Sequence, residues 1–322
     1  MDWLYRQWFL MVLAVVLTVG LSMHAQLATI AAWVPRGWLV ATVMFLTALP
    51  LPAGDFARVV RSPLPLVLAL LLSMVAAPLA AHSVRGLLPA ELSVGLLVAA
   101  TVPCTLASAA VWTRRGGGSD ALALAVTLVT NLACFVVMPL TLAMLLSADI
   151  AFDQSPRQLS RQLAERVLLP IAVAQLLRVV PRVARWSAVA KPALSLVCQW
   201  GILTMVFVGS IGAGAKLATL DQQLAPAIWL LLLAMVWGLH LTLFAAGWWG
   251  AQSLGVSRAD AVAVAVSGSQ KTLMIGLDVA IAFGGLAVLP MIAYHVVQLL
   301  IDTVLVDMIR ARQPPLVAND RL

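Results

Sequence analysis

Residues 263–276 read AVAVSGSQKTLMIG, and Lys271 stands inside that otherwise uncharged run. The nearest charge before it is Asp260 and the next after it is Asp278. A lysine at the centre of a membrane helix costs at least ~2.5–3.5 kcal/mol on insertion scales, so its retention implies a use. Ser267, Gly268 and Ser269 directly precede it and predict an interruption of the helix. A broken helix with a buried ion at mid-membrane is how secondary transporters assemble a substrate site.

The rest of the chain supplies the membrane setting. Of 322 residues, 62% are hydrophobic and 10% charged, with a mean hydropathy of +1.02. Soluble domains carry about 25% charged residues, so the composition is that of a polytopic membrane protein. Cys104, Cys134 and Cys198 lie in apolar segments at no metal-ligand spacing and read as small packing residues. The net charge of +7 reflects arginines clustered in particular loops rather than affinity for nucleic acid.

Cutting at charges and prolines leaves ten apolar segments: 7–24, 37–53, 64–82, 92–114, 120–147, 162–180, 192–214, 225–249, 259–284 and 286–309. Each is near the ~20 residues a bilayer requires. The first run, Trp8 to Met23, reads as a span rather than a signal peptide, because its leading region is weak and carries Asp2. The sixth is marked by Arg161, Glu165 and Arg166 at its start, and the ninth and tenth meet at Phe283-Gly284-Gly285, a tight turn.

With the N-terminus inside, cytoplasmic ends and loops hold Arg6, Arg58, Arg61, Arg114, Arg115, Arg178, Arg182, Arg185, Lys191, Arg258, Arg310, Arg312 and Arg321. The opposite side holds Arg36, Arg85, Arg157, Arg161, Arg166 and Lys216. That bias of 13 to 6 predicts cytoplasmic termini. Trp3, Trp8, Trp33, Trp38, Trp112, Trp186, Trp248 and Trp249 fall near span ends, as interfacial anchors do.

Ten spans divide into five plus five, and an odd number per half forces the second copy to insert upside down. The halves are 1–147 and 162–309, joined by a loop over 148–161, with 310–322 as a cytoplasmic tail. Span 4 carries Pro103-Cys-Thr-Leu-Ala-Ser108 where span 9 carries Ser267-Gly-Ser-Gln-Lys-Thr272. Both sequences open backbone groups at depth, which only surrounding protein or a cavity tolerates.

On span 5, Thr127, Thr130 and Asn131 share one helix face, with Ser119 near the start. That face either lines the site beside the span 4 break or makes ordinary helix–helix hydrogen bonds. After Gly268, freed amides form the positive end of a half-helix, and Lys271 adds a full charge in its first turn. This favours a carboxylate or sulfonate ligand, against the plainer reading of a structural ion pair. Asp278 lies ~10 Å along the helix from Lys271 by rise, too far for contact, whereas Asp302 is a candidate partner. His295, Gln298 and Asp302 share a face of span 10; His295, Asp302 and Asp278 are proton-relay candidates, a structural histidine being the alternative. His240, alone among apolar residues of span 8, is assigned to packing.

The sequence lacks HExxH, GxSxG and GxxxxGK[ST], so the corresponding enzyme signatures are missing. Ser267 and Lys271, four apart, have no accompanying oxyanion-hole motif, and no charge ring or symmetric filter marks a channel.

The stretches VPCTLASAAVWTRRGGGSDALALAVTLVTNLACFVVMPL (102–140), AVSGSQKTLMIGLDVA…LPMIAYHVVQLLIDTVL (265–305) and PLPAGDFARVVRSP (50–63) resemble the bile acid:sodium symporter superfamily, in particular its SBF-like branch. The resemblance implies two inverted five-helix repeats, a core of spans 3–5 and 8–10 with two broken crossing helices, and a panel of spans 1, 2, 6 and 7. It implies transport of organic anions such as bile acids, sulfated steroids and small carboxylates, usually with two sodium ions. Carried over position by position, the sodium ligands largely vanish. The span 4 Ser-Asn pair becomes Ser108 and Ala109, and the span 5 pair Ala123 and Thr127. The span 3 glutamine becomes Ser73, and the bridging span 9 glutamate becomes Val266. Ser267, Ser269 and Gln270 follow, and an asparagine becomes Lys271.

The resulting expectation is an all-α secondary transporter of an organic anion, working by alternating access in a bacterial inner membrane without cofactor, metal or enzymatic activity. Its substrate and ion site comprises Lys271, Gln270, Ser267, Ser269, Ser108, Thr127, Asn131 and Ser73. Lys271 takes the place of a sodium ion, pairing with substrate or releasing a proton during the cycle, and no carboxylate remains at the crossing. The coupling ion is left open, a proton being preferred to sodium. The partners are a small organic anion and membrane lipids, with no nucleic acid and a homodimer as the oligomer considered. The alternatives are a sodium-coupled symporter with a degenerate site and a transport-inactive regulator or scaffold.

Overall fold

The computed structural model describes residues 8–52, 59, 63–106, 108–146, 155–220 and 224–311, and every regular element among them is helical. Asp2, Trp3, Arg6, Arg58, Arg61, Arg312 and Arg321, most of the 50–63 motif, the 148–154 part of the expected loop and the tail beyond Ala311 lie outside the described residues.

The helices are α1 (Trp8–Ser22), α2 (His24–Ala32), α3 (Arg36–Ala48), α4 (Pro63–Leu87), α5 (Ala90–Thr101), α6 (Ala109–Arg115) and α7 (Asp120–Leu145). The second half comprises α8 (156–178), α9 (Pro181–Ala218), α10 (Pro226–Ser253), α11 (Arg258–Ser269), α12 (Leu273–Phe283) and α13 (Val288–Ala311). Five are long and apolar enough to cross a bilayer unaided: α4, α7, α9, α10, and α13 with its leading turn Gly285–Ala287. Counting α1 and α2 as one bent span makes six. The molecule is an integral membrane protein. The remaining expected spans appear as a short helix (α3), a helix with charges near its start (α8), and two broken pairs, α5/α6 and α11/α12.

Local chemistry accounts for the boundaries. Ser119 caps α7 by accepting from the Leu122 N–H, and Ser257 caps α11 by accepting from the Asp260 N–H. Helix α8 starts at Pro156, so the described part of the expected 148–161 loop is mostly helical; a Ser155–Gln158 capping box and a proline in the first turn set that start. Helix α9 begins well before the expected residue 192, at Pro181, and continues through Pro192. Residues 25–32, expected as a connection, belong to α2, bent 107° from α1.

Two helices carry π turns, Leu72–Ala76 in α4 and Ala164–Leu168 in α8. Such turns interrupt the regular ladder and recur at functional sites. The interior is built from α5, α11 and α12. Residues Leu92–Thr101, Ala261–Ser269 and Leu273–Ala280 are buried without exception, as helices apolar on every side should be. Helices α12 and α13 are joined at Gly284, whose φ of +125° suits glycine, as the tight-turn reading of that stretch expects.

Candidate functional site

The candidate site is the place where the two helix interruptions meet. Helix α11 closes through the Gln270 N–H, which donates to Val266 O at 3.0 Å, and Ser269 Oγ donates back to Ala265 O at 2.8 Å. The interruption therefore falls at Gln270-Lys271-Thr272, not at Ser267-Gly268-Ser269, which remain helical. Lys271 correspondingly lies in the non-helical stretch just before α12, between the extended residues Gln270 and Thr272, rather than in its first turn. The serine hydroxyl and the 266–270 bond keep the helix wound past the glycine.

The opposite break includes residues 102–106 and 108. Val102 is extended, as a residue before proline tends to be. Pro103 O accepts the Thr272 N–H at 3.0 Å, so the two interruptions bond directly to each other. The face of α7 grips this break: Thr130 Oγ1 accepts from the Cys104 N–H (3.2 Å), Asn131 Nδ2 donates to Cys104 O (2.7 Å) and Thr127 Oγ1 donates to Thr105 O (3.4 Å). Thr127 and Asn131 thus hold the break open with their own hydrogen bonds. Ser119 belongs to the helix cap instead.

Lys271 is fully buried. Its Nζ donates to Ser73 O at 2.5 Å and Ser73 Oγ at 3.1 Å, both on the π turn of α4. Its backbone N–H and C=O are both bonded by the Gln298 carboxamide. No carboxylate lies within ion-pair distance of its Nζ among the described residues.

Asp302, considered above as its partner, accepts from Gln270 Nε2 at 2.5 Å and pairs with His240 Nε2 at 2.9 Å. Two expectations are corrected by this. A carboxylate does stand at the crossing, one side chain away from Lys271, and His240 is not mere packing. Packing of α10 against α13 brings that histidine to Asp302 across 62 residues of sequence. Gln270 also accepts from Ser108 Oγ at 3.0 Å, giving a continuous chain Ser108–Gln270–Asp302–His240 that ties both breaks to α10 and α13.

The other candidates separate into groups. His295 Nδ1 accepts from Gln298 Nε2 at 3.0 Å and joins the Lys271 side of the network. Asp278 is drawn away, receiving Arg166 Nη1 at 2.8 Å and Gln162 Nε2 at 3.0 Å from α8. Ser269 O accepts from Tyr294 Oη at 2.7 Å, while the Ser267 Oγ is buried without a partner among the described residues. At the carried-over sodium positions, Ala109 and Ala123 share one apolar cluster, and Val266 packs with Phe244, Val262, Ala265 and Val306 in another. His240, Thr105 and Tyr294 were missed; for His240, an ionisable group inside an apolar span was itself the signal.

A profile of the SBF-like CPA transporter family matches residues 7–311. Similar proteins include a "Probable sodium/metabolite cotransporter BASS4, chloroplastic" of Arabidopsis thaliana, 28% identical over 68% of this chain and 53% of that protein. An "Uncharacterized sodium-dependent transporter YocS" of Bacillus subtilis is 34% identical over 51% of this chain and 50% of its own length. A "Sodium/bile acid cotransporter 7" of Rattus norvegicus is 25% identical over 67% of this chain and 64% of its own. The chain spans about half the length of the first of these relatives.

Proposed function

Because this chain belongs to the SBF-like CPA transporter family, within the bile acid:sodium symporter superfamily, whose members here are transporters and not enzymes, we propose that it is a secondary transporter of an organic anion. It works by alternating access between a core and a panel drawn from two inverted five-helix repeats. Lys271 occupies the place of a sodium ion, and transport is sodium-independent. The observation that carries this reading is the buried Lys271 ammonium at the crossing, whose side chain bonds, among the described residues, only Ser73 O and Oγ. A second cation beside it is disfavoured, since like charges 4 Å apart repel by ~4 kcal/mol at an effective dielectric of 20. An anionic ligand supplies what the ammonium lacks. The bond from Thr272 to Pro103 supports two broken helices meeting in one core, and the Arg166–Asp278 pair supports a contact of panel with core.

The test is uptake into proteoliposomes, together with ligand-induced thermal shift, across a labelled bile acid, a steroid sulfate and a short-chain carboxylate, with sodium replaced by choline. Activity should persist in choline and disappear in Lys271→Ala. A strict sodium requirement would overturn the lysine-substitution reading. It would favour a sodium-coupled symporter, the reading supported by the sodium in the relatives' names. A Lys271→Ala variant unchanged because neither it nor the wild type takes up or responds to any of the anions would favour a scaffold. The cytoplasmic termini rest on the arginine bias and are tested by cysteine labelling of loops; the inner-membrane location is tested by membrane fractionation.

A further inference from the structure

His240 and Asp302 are both fully buried, and their side chains meet at 2.9 Å. No lysine or arginine touches Asp302 among the described residues; its other oxygen is held by the uncharged Gln270. His240 Nδ1 is buried and has no hydrogen-bond partner among the described residues. We propose that the His240–Asp302 pair is a proton-binding site, and that its proton is carried together with the organic anion bound at Lys271. This rests on the transport reading above and names its coupling ion.

Charge balance in a low-dielectric interior carries the argument. With Lys271 charged, Asp302 ionised and His240 neutral, the empty crossing holds one positive and one negative group, not in contact. A proton arriving at Nδ1 converts the pair to imidazolium–carboxylate and leaves one net positive charge, which a monovalent anion neutralises. When the proton leaves to water on the other side, the anion loses its compensation and follows. States with proton and anion both bound, or both absent, are neutral; the mixed states bury an uncompensated charge, which costs several kcal/mol. Gln270 supplies the physical link, touching Asp302 with its side chain and preceding Lys271 in the break.

The remaining ionisable groups around the pair do not replace it. Tyr294 packs its ring 5.7 Å from that of His240 and donates to Ser269 O. Cys104 lies in the opposite break, and His295 is bonded to Gln298. Glu91 of α5 takes Lys216 of α9 and the Leu286 N–H. Arg114 pairs with Asp120, and Arg115 of α6 pairs with Asp307. Asp278 of α12 is held by Arg166, Asp260 by Ser257, and Arg258 bonds Ile309 O.

The first test needs no substrate. In nanodiscs, 15N NMR of histidine-labelled protein should show the His240 ring, resolved from those of His24, His82 and His295, changing from the neutral to the imidazolium pattern between alkaline and acid buffer. His240→Gln should remove that signal and Asp302→Asn, which keeps the hydrogen-bonding shape, should shift its transition. His295→Gln should leave it unchanged. A His240 ring in one state throughout, or a transition identical in Asp302→Asn, overturns the proton site. Should Asp302→Asn fail to fold, the wild-type ring decides alone. The second test is binding of the same labelled bile acid, steroid sulfate and carboxylate: the Kd should fall about tenfold per pH unit on acidification in the linked range and lie flat in Asp302→Asn. A flat wild-type Kd overturns the coupling. Absence of any anion binding overturns the transport reading, and with it the coupling, while the NMR titration still judges the proton site.

Discussion

One carboxamide closes both backbone hydrogen bonds of Lys271: Gln298 Oε1 accepts its N–H at 2.8 Å and Gln298 Nε2 donates to its C=O at 3.0 Å. A helix interruption at membrane depth exposes donors and acceptors that lipid cannot satisfy. Gln298 supplies to this residue what a neighbouring helical turn would have supplied.

Replacing Gln298 by Leu should therefore be strongly destabilising. Two buried backbone groups lose their partners, at about 1–3 kcal/mol each. Thermal unfolding in detergent should show the loss, and Gln298→Glu should fall short of wild type as well, because an ionised carboxylate cannot donate to Lys271 O.

The Arg166–Asp278 contact fastens the π turn of α8 to α12, with Asp278 buried and Arg166 about one-third exposed. Arg166→Ala leaves a buried carboxylate with, among the described residues, only Gln162. A fully buried pair broken in this way loses ~3–5 kcal/mol, and partial exposure of the arginine reduces the expectation to about 1–3 kcal/mol. Asp278→Asn should cost less, and a double-mutant cycle should show that the two losses are not additive.

Gly95 of α5 lies against the turn that leads into α13. A Cβ there would sit 2.2 Å from Ala287 O and 2.8 Å from its carbonyl carbon, both backbone atoms that cannot swing aside. Gly95→Ala should destabilise by about 1–3 kcal/mol, at the level of core overpacking, and lower the thermal midpoint accordingly. Gly238, with nothing within 4 Å of an added Cβ, is the control: Gly238→Ala should be neutral or stabilising.

Lys271→Met separates stability from function. It replaces a buried ammonium by an apolar chain of similar length, a change that is often neutral or stabilising. The variant should unfold no earlier than wild type, yet lose stabilisation by organic anions. If Lys271→Met still responded to the anions, the lysine would be removed from the binding site.

Much of the site could be read from the residues. A lysine inside an apolar run with serines and a glycine before it located the second break to within three residues, and Pro103 located the first. The helical spacing of Thr127, Thr130 and Asn131 put them on one face, and that face does meet the break. The partners of the ionisable groups were not legible in the same way. Asp302 and His240 are 62 residues apart, and Asp278 and Arg166 are 112 apart. Periodicity specifies which side of a helix a residue occupies, but not which helix lies opposite.

The chain's own order of residues determined that it enters a membrane, the approximate course of most of its helices and the neighbourhood in which two of them break, because hydropathy and backbone sterics act over a few neighbours. Tertiary packing alone decided that Lys271 meets a serine carbonyl rather than a carboxylate, and that Asp302 meets His240. Those pairings depend on how helices far apart in sequence are set beside one another, and at that range a buried charge takes the polar group that geometry brings within hydrogen-bond distance.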